Sequence, residues 1–296
     1  MSKVWFITGS SRGLGRDLAK AVLEAGDRLV ATARDPEQLR ELVGPRPEDA
    51  RRAIAVPLDV TRAEDARRAV TAAMTSFGRI DVLVNNAGYA NTDALEDVEE
   101  ADFRKQFETN FFGVFHVTRA VLPVMRAQKA GRILNVSSIG GRLGTPGLGS
   151  YQSAKWAVEG FSEVLAKEVT PLGIRVTIVE PGGFRTDWGG SSMRLGEPSD
   201  PYKSTVGAMN SGVRGSAEAS RGDPARAALA IVKIASVEDP PMRLLLGTDA
   251  VFLAGAVGAM RAEEDAKWKS LSNTTDFPGM PDFATSPYAK MFTGRR

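Results

Sequence analysis

Short, almost unbroken apolar runs recur along this chain. They alternate with longer stretches in which apolar residues return at helical spacing. The runs are Lys3–Thr8, Arg28–Ala33, Ala53–Pro57, Asp81–Val84, Arg132–Val136, Ile174–Val179 and Met242–Leu246. Their apolar residues stand side by side, so they read as buried strands. Helical spacing marks Gly13–Ala25, Ala63–Phe77, Phe103–Met125 and a stretch beginning near Tyr151. Gly26 follows the first of these as a C-cap. Strand and helix in turn predict an α/β fold: one doubly wound parallel sheet with helices on both faces. No linker separates two bodies, so a single domain is expected over residues 1–271. It includes a partly helical 249–271, and a tail rich in Pro, Gly and Thr occupies 272–296.

Two segments break the rhythm. Residues 184–220 are rich in glycine and serine, with Trp188, Met193, Leu195, Tyr202 and Met209 scattered among them. They follow the sixth strand and are expected to fold as a lid. Residues 140–149 hold five glycines and are expected to form another pocket wall.

The chemistry sits beside these breaks. Gly9, Gly13 and Gly15 lie between the first strand and the first helix, in Thr8-Gly-Ser-Ser-Arg-Gly-Leu-Gly15. Such a turn lets backbone approach a phosphate, and the helix N-terminus offers free N–H groups and positive dipole. The spacing is G-x-x-x-G-x-G and not the G-x-G-x-x-G fingerprint. Further on, Tyr151 and Lys155 are four apart, which on a helix puts both on one face. A free phenol titrates near 10 and a nearby cation lowers that value. Tyr151 then becomes a candidate proton donor and acceptor. Of the chain's four tyrosines, this one alone has a lysine four residues on. Ser138 ends the strand Arg132–Val136 and the two serines after it, at the carboxyl edge where open parallel sheets bind ligands. Its hydroxyl can bond a substrate oxygen, although serine there also commonly starts a turn.

Together these motifs resemble the short-chain dehydrogenase/reductase family, in its common non-extended form. The matching pieces are the glycine turn, Leu58-Asp59-Val60, Asn85-Asn86-Ala87-Gly88, Asn110, Ser138, Tyr151 with Lys155, and Pro181-Gly182 through Thr186. They span roughly residues 3–190; the chain beyond, longer than usual, matches only loosely. The resemblance implies a Rossmann-like fold and a catalytic set of Tyr151, Lys155, Ser138 and Asn110, with Asn110 holding a water that links Lys155 to solvent. It implies cofactor binding by Gly9, Ser11, Arg12, Gly13, Leu14 and Gly15, by Asp59 and Val60 near the adenine, and by Asn86, Ala87 and Gly88 in the groove. Tyr151 and Lys155 would meet the nicotinamide ribose. Pro181, Gly182, Phe184 and Thr186 would hold the carboxamide.

The second strand ends without the carboxylate that bonds the ribose 2′-OH of NAD. Instead Arg34 follows Ala33, and Arg12 stands in the glycine turn. Two guanidiniums suit a 2′-phosphate, so NADP(H) is the expected cofactor. Asp35 competes, but Asp35-Pro36-Glu37 reads as an N-cap followed by proline at the first helical position.

Composition removes other classes. The chain has 296 residues, 43% of them hydrophobic, and a net charge of +2 with basic residues dispersed, which argues against nucleic acid. With no cysteine and one histidine, His116, neither a disulfide framework nor a metal site is predicted. A Ser-His-Asp hydrolase would need His116 and finds no nucleophile elbow. A first strand beginning at residue 3, and no apolar run of spanning length, suggest a cytoplasmic protein without membrane partner. The expectation is an NADP(H)-dependent carbonyl reductase or alcohol dehydrogenase acting on a small ketone, aldehyde or alcohol. A steroid or polyketide intermediate is a rival substrate, and a non-catalytic NADP-sensing or regulatory protein is the rival class. The helices at 103–125 and from Tyr151 are apolar on more than one stripe, which predicts a homodimer or homotetramer.

Overall fold

The computed structural model of the chain describes residues 2–44, 51–185, 193–216 and 220–293. Its strands in chain order are β1 (Val4–Ile7), β2 (Arg28–Ala33), β3 (Ala53–Pro57), β4 (Val82–Asn85), β5 (Ala90–Thr92), β6 (Gly131–Val136), β7 (Ile174–Pro181), β8 (Met193–Leu195) and β9 (Arg243–Leu246). Its α-helices are α1 (Gly13–Glu24), α2 (Arg40–Val43), α3 (Ala63–Phe77), α4 (Glu100–Phe107), α5 (Gly113–Gln128), α6 (Gly149–Val169), α7 (Ala208–Ser216), α8 (Pro224–Ile234), α9 (Thr248–Asn273) and α10 (Pro287–Thr293).

Seven strands form one sheet in the order β3-β2-β1-β4-β6-β7-β9, with every neighbouring pair parallel. These are the seven apolar runs, each matched to within two residues. Both sheet faces are covered, and strand pleating sorts the side chains between them. Val4 and Phe6 of β1 join a layer with α3, α5 and α6. Trp5 and Ile7 join the opposite layer with α1 and α8. All four are fully buried. The chain winds outward from β1 to β3, then returns to β4 and winds the other way. The order therefore reverses between β1 and β4, and a crevice opens at their carboxyl ends.

Local signals set the element ends. Gly26 takes φ +81° just past α1 and donates its N–H to the Leu23 carbonyl, as a C-cap glycine does. The Asp35 side chain accepts from Glu37 N at 3.1 Å and caps the short 3-10 helix Pro36–Leu39. The stretch expected as one helix from Phe103 is interrupted. Between α4 and α5, Glu108–Phe112 form a single π-turn.

The segment expected as a lid contains regular structure in its described part. There β8 pairs in parallel with β5 to make a separate two-stranded sheet. Hydrogen bonds then fasten the following residues to the loop after β5. Ser199 N and Oγ donate to Asp97 at 2.9 and 2.8 Å, Tyr202 donates its hydroxyl to Glu96 at 2.5 Å, and Arg194 pairs with Asp93 at 2.7 Å.

The chain divides into two compact units, Met1–Ala254 and Gly255–Arg296, so the boundary falls inside α9. The first holds the sheet. The second holds the rest of α9, the 3-10 turn Phe283–Thr285 and α10. No helix among the described residues is long and apolar enough to cross a membrane.

Candidate active site

The glycine turn lies at the crevice. Thr8 ties it to β4: its Oγ1 accepts from Asn86 N at 2.9 Å and from Ala87 N at 3.0 Å. Asn86 reaches back, donating Nδ2 to the carbonyls of Thr8 and Gly9 at 3.0 and 3.1 Å. The two loops thus form one floor. Gly9 and Gly13 have φ of +67° and +53°, a region that side chains resist. A Cβ on Gly15 would stand 2.2 Å from the Gly9 carbonyl oxygen and 2.4 Å from Asn86 Nδ2. Only bare backbone fits there, and the N-terminus of α1 opens directly onto it.

The other turn residues have mixed surroundings. Ser11 is half-buried, and Leu14 packs into the layer beneath α1. Arg12 is exposed at the N-cap of α1, and Arg34 is exposed just past β2. Asp59 accepts from Thr61 N at 3.0 Å and from Thr61 Oγ1 at 2.7 Å, which closes the turn after β3. Val60 packs against the Gly113 backbone, and its carbonyl lies 3.1 Å from His116 Nδ1.

Beyond β6 the catalytic candidates converge. Ser138 has extended backbone and caps the 3-10 turn Ile139–Gly141, accepting from Gly140 N at 3.0 Å. The glycine-rich wall at 140–149 is strapped to α6: Gln152 bonds Thr145 N at 2.7 Å, and Trp156 Nε1 donates to the Gly140 carbonyl at 3.1 Å. This brings Ser138 within hydrogen-bond reach of the Tyr151 phenol. One turn on, Lys155 donates Nζ to the Val136 carbonyl at 2.8 Å. The buried Asn110 sits in the π-turn; its Oδ1 accepts from Tyr89 N at 3.2 Å and its Nδ2 donates to Tyr89 O at 3.0 Å. π-turns inside helices often mark functional positions. Asn110 and Lys155 meet over Gly88, whose Cβ would stand 2.6 Å from Asn110 Oδ1 and 3.6 Å from Lys155 Nζ.

Burial dominates the electrostatics. Tyr151 and Lys155 are only 5% and 4% exposed. The phenol is pushed up to about 12 by burial, against a smaller downward pull from the Ser138 hydrogen bond. The lysine is pulled down to about 8 by burial, with Glu159 acting in the opposite direction. Spacing alone predicts a phenol lowered by the cation. In this structure removal from water wins, since it disfavours both charged forms. The ammonium lies 5.7 Å from the phenol ring centroid and spends a hydrogen bond on a carbonyl.

The surroundings of the phenol are apolar. Ala90, Leu148 and Met193 pack with Tyr151, and Leu195, Met209 and Val213 join them. At the far side, Gly182 N donates to the Leu246 carbonyl at 2.9 Å and Gly183 N to Asp249 at 2.6 Å. Phe184 packs near Gly222, while Thr186 lies outside the described residues. Sequence reasoning missed Asp249 and Glu159. Asp249 carries no local signal, whereas Glu159 stands four residues after Lys155 and could have been found by spacing.

A profile of the family described as short chain dehydrogenase matches residues 3–194. The chain belongs to the short-chain dehydrogenase/reductase family. The chain is thus an oxidoreductase of that family. It is 51% identical over 272 residues to the oxidoreductase BOA17 of Botryotinia fuckeliana, covering 92% of this chain and 98% of the relative. A short-chain dehydrogenase from Streptomyces avermitilis superposes with a TM-score of 0.85 at 42% identity, covering 94% of this chain and 99% of that one. An alcohol dehydrogenase from Thermococcus sibiricus, solved with 5-hydroxy-NADP, gives a TM-score of 0.67 at 27% identity, covering 83% and 96%.

Proposed function

We propose that this short-chain dehydrogenase/reductase is an NADP(H)-dependent carbonyl reductase or alcohol dehydrogenase. One observation carries the proposal: the Tyr151 phenol, hydrogen-bonded with Ser138, stands beside buried Lys155 and Asn110 among apolar neighbours. The floor fits a dinucleotide, because Gly9, Gly13 and Gly15 leave backbone open at the α1 N-terminus. Ser11, Arg12, Leu14, Asp59, Val60, Asn86, Ala87 and Gly88 are assigned to dinucleotide binding there, and Pro181, Gly182 and Phe184 to its nicotinamide end. Gly9, Gly13 and Gly15 would hold the dinucleotide on that floor, and its nicotinamide would supply hydride chemistry at the reacting carbon.

The residues of the chain handle the oxygen. Ser138 donates a hydrogen bond that orients the substrate carbonyl. Tyr151 gives that oxygen its proton in reduction and takes it back in oxidation. A phenol pushed up to about 12 is protonated near neutrality, which is the form reduction needs. Lys155 sets the charge beside the phenol, and Asn110 holds the lysine side of the proton path. The apolar lining selects a substrate whose carbonyl carries an apolar body.

NADPH oxidation against a panel of ketones, aldehydes and quinones is the test. Turnover of at least one class is expected. Cofactor binding without turnover of any panel member would favour a sensing role instead. Preference for the 2′-phosphate is assigned to Arg34 with Arg12. Loss of a charged hydrogen bond costs about 1.5–3 kcal/mol, or roughly 10–150-fold in affinity. Arg34→Ala is expected to weaken NADPH by that factor and leave NADH nearly unchanged in direct titration. Equal losses for both cofactors would remove Arg34 from recognition of the phosphate.

A further inference from the structure

We infer that Glu159 is a positioning residue for Lys155, its buried carboxylate keeping the lysine ammonium charged inside the site. Helix α6 places Tyr151, Lys155 and Glu159 at successive four-residue steps, hence on one face. All three are buried, Glu159 at 5% exposure. The carboxylate is firmly held. Its Oε1 accepts from Ser137 Oγ at 2.9 Å, and its Oε2 pairs with Arg243 of β9. Gly141 makes room for it, since a Cβ there would stand 2.0 Å from Glu159 Oε1.

The surrounding charges explain why an ammonium belongs beside it. Glu180 of β7 is fully buried and takes both arms of Arg142, at 2.9 and 2.7 Å, as well as Arg243 at 2.6 Å. Arg243 also pairs with the half-exposed Glu163 at 2.7 Å. The carboxylates of Glu159, Glu163 and Glu180 thus face the guanidiniums of Arg142 and Arg243, leaving one negative charge in excess. Lys155 brings the group to neutrality. From the other elements packed around it, Lys155 meets uncharged groups: the Val136 carbonyl of β6, Gly88 of the loop after β4, and Asn110 of the π-turn. Tyr151 is the remaining titratable neighbour on its own helix, and it is neutral at working pH. Burial opposes the ammonium and Glu159 opposes that effect. A buried charge with no compensating partner sheds its proton, and an opposite charge nearby holds it.

A purely structural clamp between α6 and β9 would use the same contacts, so the test separates charge from shape. The whole chain, free of ligand, is labelled with carbon-13 at lysine and titrated by NMR, with Lys155→Met assigning the signal. In Glu159→Gln the Lys155 midpoint is expected to fall by about one pH unit. In Glu159→Asp, which keeps the charge on a shorter stem, it is expected to return toward the wild-type value. An unmoved midpoint in Glu159→Gln, or equal shifts in both variants, overturns the inference.

Glu159→Gln leaves Arg243 short of a partner and can fail to fold. The paired variant Glu159→Gln/Arg243→Gln removes both charges together, the change buried ion pairs tolerate best. It removes one charge of each sign, so a smaller downward shift than in Glu159→Gln is expected, because Glu159 shares the helix face of Lys155 and Arg243 lies on β9; an upward shift overturns the inference. A second arm rests on the reductase function proposed above: with a turned-over ketone, the alkaline limb of kcat/KM moves acidward in Glu159→Gln. The NMR arm needs no substrate. A moved midpoint with no turnover of any panel member refutes the reductase function and leaves the Glu159 inference standing.

Discussion

At the scale of single residues, the site is a hydroxyl pair backed by a buried cation. Tyr151→Phe keeps the ring and removes the proton. A positioned acid–base group contributes ~10²–10⁴-fold in rate, so kcat is expected to fall by that factor. Cofactor titration and melting temperature should stay close to wild type; near-normal turnover would take Tyr151 out of the chemistry. Lys155 makes a second prediction through its depressed value of about 8 against the ordinary 10.5. Between those two pH values the unfolded chain holds a proton that the folded chain has released. Stability rises with pH wherever the unfolded state binds more protons, so this site contributes increasing stability from about pH 8 upward. Urea unfolding of wild type and Lys155→Met across pH 7–11 should show that increment only in the wild type. Tyr151, Lys155 and Ser138 were legible in the sequence because fixed spacing on a helix and a strand end determines their placement. The direction of the Tyr151 shift was not legible. Spacing reports the nearby ammonium but not the loss of water around both groups.

At the scale of elements, the strands were readable because both sheet faces are covered, which demands apolar residues in succession. The glycine turn was readable because its glycines are required by contact. Gly15→Ala would put a methyl group against the Gly9 carbonyl and Asn86, and both belong to the floor itself. Overpacking of this kind costs about 1–3 kcal/mol. Urea unfolding should detect that loss, and dinucleotide binding should fall with it; an unchanged midpoint would mean that the floor relaxes freely. The π-turn at Glu108–Phe112 was not readable, because apolar periodicity continues through it and its extra residue leaves no signature in composition. The β5–β8 pair was equally hidden. Both strands have three residues, too few for alternation to register, and they meet through contacts about a hundred residues apart in sequence.

At the scale of the whole molecule, a line of aromatic rings runs along α4, the π-turn and α5. Phe103 and Phe107 stack at 5.5 Å, and Phe111, Phe115 and Phe161 continue the line edge to face. Phe112 of the π-turn, at 39% exposure, and Trp156 and Val164 of the adjoining α6, at 45% and 57%, add to the apolar surface. Apolar surface of this extent on neighbouring helices is rarely left to water. We propose at least a closed two-fold homodimer through these helices. Light scattering at micromolar concentration is expected to give two or four times the 31.7 kDa of one chain; a mass near one chain would refute it. The position of β1 has a consequence for biosynthesis. Of the strands in this sheet β1 comes earliest in the chain, yet it is an interior strand, paired on one side by β2 and on the other by β4. β2 follows soon after it, but β4 arrives only at residue 82. Until then the nascent sheet β3-β2-β1 has as its open edge Val4, Trp5, Phe6 and Ile7, all fully buried in the finished protein. Such an edge invites pairing with other chains. A growing polypeptide is therefore open to such pairing between completion of β3 and arrival of β4, where a chaperone has an edge to protect.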